Sequence, residues 1–88
     1  MATKKTIWKV PLTIGKVIRE IPADARFLKA DEQYRAIAAW FMCTRDSPLE
    51  TRCFHVIVTD HDVPDNCEYI GTVQMPPYVW HVFVENRT

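Results

Sequence analysis

Apolar and polar residues alternate with the two-residue period of a β-strand in a series of short stretches along the chain. From Thr6 to Leu12, Trp8, Val10 and Leu12 fall on one face and Lys9 on the other. Pro11 near the end of this strand is tolerable at an edge or a terminus. Val17 to Ile21 alternates imperfectly and is stopped by Pro22, which opens a turn, Pro22 to Ala25. Arg26 to Ala30 reads as a third strand, with Asp31, Glu32 and Gln33 as a hairpin connection.

Tyr34 to Cys43 is the strongest core candidate, because both of its faces are apolar: Ile37, Ala39, Phe41 and Cys43 against Ala36, Ala38, Trp40 and Met42. That pattern predicts a central strand covered on both sides. Alanine content and length also suit a helix, but no N-cap precedes the run and turn signals flank it, so strand is preferred. Thr44 to Thr51 is a polar turn cluster; alternation resumes from Arg52, with Phe54, Val56 and Val58 opposite Cys53, His55 and Ile57. Thr59 to Asn66 has the Asp, Asn and Pro content of an ordered loop. Two further strands, Glu68 to Gln74 and Tyr78 to Glu85, are joined by Met75-Pro76-Pro77.

The pattern predicts an all-β fold, or a β-rich one with a short helical turn: a small antiparallel sheet, barrel-like or sandwich, of about six or seven strands. At 88 residues the chain has room for one domain, residues 1–88, with residues 1–5 read as a flexible N-terminus. So small a core favours a homo-oligomer. Eleven basic residues balance eleven acidic ones, so charge gives no support to nucleic acid as a partner. No run has the length or apolarity of a signal peptide or membrane span, which predicts a cytoplasmic protein with no membrane partner. Cys43, Cys53 and Cys67 are an odd number without a C-x-x-C pair and are expected to be free thiols.

Little in the sequence points to catalysis. His55, His61 and His81 are the only imidazoles. Asp60-His61-Asp62 resembles a ligand run, but neighbours in an extended segment point to opposite sides, so no metal is expected there. The His61 ring is expected to be hydrogen-bonded by backbone or a nearby carboxylate instead. Neither Cys53 nor Ser47 lies in a nucleophile-elbow setting, and Gly15 and Gly71 stand alone, without a phosphate-cradling loop. No cofactor and no enzymatic activity are therefore expected. The aromatic residues are more informative: Trp8, Trp40 and Trp80 either fill a small core or, in part, line a binding surface. Trp40 is assigned to the core and Trp80 to the surface, because a strand near the terminus can present one face to a partner.

The runs I-W-K-V-P-L (Ile7 to Leu12), A-W-F (Ala39 to Phe41), T-D-H-D-V-P (Thr59 to Pro64), E-Y-I-G-T-V-Q (Glu68 to Gln74) and V-W-H-V-F (Val79 to Phe83) together resemble a family of small uncharacterised proteins of tailed bacteriophages and prophages. The likeness keeps the order of the motifs over nearly the whole chain. In that family the loop usually reads T-G-H-x-(I/V)-P, so Asp60 stands in place of a glycine, which matters if the backbone there needs a glycine's freedom. The resemblance implies origin more than mechanism. It implies an accessory binding protein in the cytoplasm of the infected bacterial host, which antagonises a host process by blocking a host protein or sequestering a small nucleotide ligand. The candidate binding residues are Trp80, His81, His61, Arg45 and Arg35. The alternatives are a minor structural or assembly component of the virion and, less favoured, a small hydrolase using His61 with its flanking carboxylates.

Overall fold

Seven strands carry the alternation in the computed structural model of the chain, which describes residues 4–87. They are β1 (Lys5–Leu12), β2 (Gly15–Pro22), β3 (Arg26–Gln33), β4 (Ala36–Thr44), β5 (Leu49–Val58), β6 (Cys67–Met75) and β7 (Tyr78–Glu85). All ladders are antiparallel and form two sheets, ordered β1-β4-β3 and β2-β5-β7-β6. No helical turn occurs among the described residues. The expected flexibility of residues 1–5 falls in part outside the described residues; the Lys4 carbonyl accepts a hydrogen bond from the Arg45 amide and Lys5 opens β1.

The sheets face each other because each strand presents every second residue inward. Val10 and Leu12 of β1 and Ile37, Ala39 and Phe41 of β4 meet Val17 and Ile21 of β2, Phe54 and Val56 of β5, Val73 of β6 and Val82 and Val84 of β7. Burying a valine- or phenylalanine-sized side chain stabilises by about 1.5–3 kcal/mol relative to leaving it exposed. Phe41 bridges the layers, with ring centroids 5.8 Å from Phe27 and 6.1 Å from Phe54.

Most strands begin or end a residue or two from the sequence reading, and three departures are larger. Asp31, Glu32 and Gln33 continue β3, and the hairpin turn is Tyr34-Arg35, with φ of 53° and 63°. Two consecutive left-handed residues make the tight turn whose twist matches its flanking strands, and no glycine marks it in the sequence. Leu49 to Thr51 belong to β5, pairing with Pro22 to Glu20. Trp40, though on the central strand of its sheet, is covered on one side only: it lies on the outer face, paired with Lys9 and Lys29 on its two neighbours. The ring is half-buried, and no second layer covers it.

The end bearing Arg45 is held by turns. The Asp24 carboxylate accepts the Thr44 amide at 3.0 and 3.1 Å, and the Ala23 amide donates to the Pro48 carbonyl at 2.7 Å. Arg87 ties the chain's end to the same place, donating to the Ala23 carbonyl and to Glu50.

Candidate functional site

The inward parity of β7 continues one step past Val82 to Trp80, which pairs with Val58 on β5 and Val73 on β6. One side of its ring therefore packs on the core, and the other walls an open cavity of about 590 Å³ at the end of the sandwich. Ile14, Gly15 and Val58 complete the apolar wall; Asp60, His61 and Asp62 form the mouth. Trp80 is thus both a core residue and a lining residue, which the division into core and surface aromatics did not anticipate.

The loop that carries the mouth is anchored by its main chain. The Thr59 amide donates to the Val79 carbonyl at 3.1 Å and the His61 amide to the Val58 carbonyl at 3.3 Å. Asp60 has φ of 81°, the conformation a glycine would adopt without strain. The His61 ring, expected to be held by a side-chain or backbone hydrogen bond, has none among the described residues; its amide does the holding, and the imidazole is exposed.

Of the other predicted site residues, none joins this cavity. His81 has the opposite parity to Trp80 and lies on the outer face of the sheet. Both of its ring nitrogens are engaged, Nε2 with Thr59 Oγ1 at 2.8 Å and Nδ1 with Thr72 Oγ1 at 3.2 Å, which suits a structural tie between β6 and the loop after β5. Arg35 lies at the β3–β4 hairpin, at the same end of the molecule as Trp80, and borders a separate groove with Glu32, Met75 and Pro76. Arg45 follows β4 at the opposite end, so the two arginines are separated by a nine-residue strand, about 27 Å long.

Sequence reasoning missed a second cluster. Cys53 and His55, two apart on β5, share its outer face, and the pairing of Phe54 with Val84 sets Glu85 of β7 opposite Cys53. His55 Nε2 lies 2.7 Å from Glu85 Oε2 and 3.8 Å from Cys53 Sγ. The hydrogen bond from His55 holds the Glu85 carboxyl below the usual carboxylate range, while burial and then the nearby Glu85 push the Cys53 thiol up. The C-x-H spacing on a strand was the available signal; the carboxylate 30 residues later was not. This is not a thiol-catalysis triad: one nitrogen faces both partners, whereas a triad divides them between the two ring nitrogens, and the thiol is held protonated.

The fold and the cavity define a small two-sheet β domain with an open, aromatic-walled cavity at one end. Residues 3–88 match the family described as a domain of unknown function (DUF7352), and the chain belongs to that family. No curated protein and no solved structure matches the chain.

Proposed function

We propose that this chain is an accessory binding protein of a tailed bacteriophage, acting in the cytoplasm of the infected host, and that the Trp80 cavity receives a basic side chain of a host protein. The observation that carries the reading is the combination of an indole wall with Asp60 and Asp62 at the mouth. An indole face attracts ammonium and guanidinium groups, and carboxylates complete their hydrogen bonds. Sequestering a nucleotide is the less favoured form of the same role. Phosphates seek arginine, lysine or clustered amides, and the lining contains two carboxylates and neither basic residue.

The test is calorimetric titration of the full chain with arginine- or lysine-containing peptides and, separately, with cyclic and linear nucleotides. The basic peptides should bind, and the D60N/D62N double variant, with an unchanged melt, should bind them at least about tenfold more weakly, a loss of roughly 1.4 kcal/mol. Nucleotide binding without peptide binding would transfer the reading to a nucleotide signal.

A second reading, an assembly component of the virion, draws on apolar residues left exposed on the outer faces: Ile7, Ile18, Leu28 and Tyr69. These also support self-association. Sedimentation of the chain at high micromolar concentration tests the oligomer, and its presence in purified particles tests the virion role.

A further inference from the structure

We propose that Cys53 Sγ, His55 Nε2 and Glu85 Oε2 form a binding site for a zinc-class divalent transition metal, with its fourth position open to the groove beside Ile18, Arg52 and Arg87. The site lies near the middle of β5 on the outer face of the sheet, whereas the Trp80 cavity lies at the Val58 end of that strand, and it is independent of the function proposed for that cavity.

Three features carry the inference. The first is convergence: the three donor atoms lie within 4.8 Å of one another. Zinc bond lengths of about 2.0–2.3 Å in a tetrahedron separate ligand atoms by roughly 3.3–3.8 Å. The Sγ–Nε2 separation of 3.8 Å already meets this; the Nε2–Oε2 separation of 2.7 Å is a hydrogen bond that opens by about half an ångström when a metal replaces the shared proton.

The second is rigidity. Two donors stand at i and i+2 on β5 and the third opposite on β7, the two interior strands of the four-stranded sheet, so ladders on both sides fix their spacing. The third is chemistry. A thiolate, an imidazole and a carboxylate together suit zinc better than calcium or magnesium, which take oxygen ligands alone. Access is also present: Cys53 and Glu85 line an open groove of about 360 Å³, while the His55 side chain is only 13% exposed.

Loading releases the Cys53 proton as the sulfur–metal bond forms, and the His55 ring gives its Nε2 lone pair to the metal while its remaining proton sits on Nδ1. Lys16, paired with His55, acts on the Cys53 thiol with positive charge, and Glu85 and Cys67 oppose it; at the groove, Arg52 and Arg87 are paired with Glu50. Affinity should accordingly rise with pH as the thiol proton becomes easier to lose.

Cobalt(II) titration of the reduced full chain near neutral pH tests the site, because a cobalt–thiolate bond has a near-ultraviolet charge-transfer band and tetrahedral cobalt has intense visible bands. One equivalent should saturate both, and zinc should bleach them. C53S should abolish the charge-transfer band, and H55A and E85Q should each weaken binding at least about tenfold. C67S, which removes the thiol on the far side of Glu85, should keep the band. Melts without metal establish which variants are folded, and E85Q, at a partly exposed position, carries the test if a β5 variant is not. No band in the wild-type chain, a band that survives C53S, unchanged affinity in E85Q, or loss in C67S would each overturn the proposal.

Discussion

A Cβ placed on Gly71 would stand 3.0 Å from the Cβ of Ala30 and 3.2 Å from Cζ of Phe27. Gly71 is on β6 and Ala30 on β3, the edge strands of different sheets, which run side by side here without a ladder between them. Both strands shift register nearby, β3 between Phe27 and Lys29 and β6 between Tyr69 and Gly71. This seam makes the sandwich barrel-like on one side. Ala30 Cβ is fixed by the backbone and cannot swing away, so G71A should destabilise by about 1–3 kcal/mol. A30G should restore part of the loss in the double variant; denaturant melts of the four proteins decide it, and additive losses would refute the seam.

Trp80 and Trp40 should respond to truncation in the order opposite to that expected from sequence. W80A removes a ring packed on the core and should cost about 3–5 kcal/mol. W40A removes a half-buried outer-face ring and should cost roughly 1 kcal/mol. Thermal or urea melts of the two variants measure both, and equal losses would contradict the placement.

Asp60 holds φ of 81° without glycine's freedom. D60G should raise stability slightly, by less than about 1 kcal/mol, since the strain relieved is partly offset by the entropy of an added glycine. A melt showing clear destabilisation would mean that the carboxylate makes a contact worth more than the strain.

Acid should weaken the fold through specific carboxylates. Asp24 is held below the usual carboxylate range by its hydrogen bonds from Thr44, and Glu85 by its hydrogen bond from His55. Because these folded-state values are depressed, their contribution is complete above the unfolded carboxylate range near pH 4 and is lost as pH falls through the folded values. D24N and E85Q should each flatten the fall in melting temperature below about pH 5. A wild-type slope in both would remove these residues from the account.

The three thiols should react slowly with alkylating reagents at neutral pH. Burial first, and nearby carboxylates second, push Cys43, Cys53 and Cys67 up, so each has little thiolate. Cys53 and Cys67 are separated by β7, two strand spacings or about 9.6 Å, too far for an intramolecular disulfide. Timed labelling with mass detection should show Cys43 the slowest and no mass loss of a disulfide on mild oxidation of the monomer.

By itself the sequence determined the fold class, the positions of most strands and the inward residues on them, because a two-residue alternation records which face is buried whatever lies on the other side of the core. Phe54, Val56, Val82 and Val84 were legible for that reason. The loop from Thr59 was legible from its Asp and Pro content, but the place of His61 beside a cavity was not. The Tyr34-Arg35 turn was not, because its left-handed residues carry no glycine. Only the tertiary structure decided what depends on which strands are neighbours. Alternation gives a face but not a partner: it leaves open whether Trp40's outer face is covered, whether Trp80 reaches a cavity, and which residue stands opposite Cys53. The insertion of β7 between β5 and β6 places Glu85 beside Cys53 and His55, and that pairing is a long-range choice made by packing of the whole core.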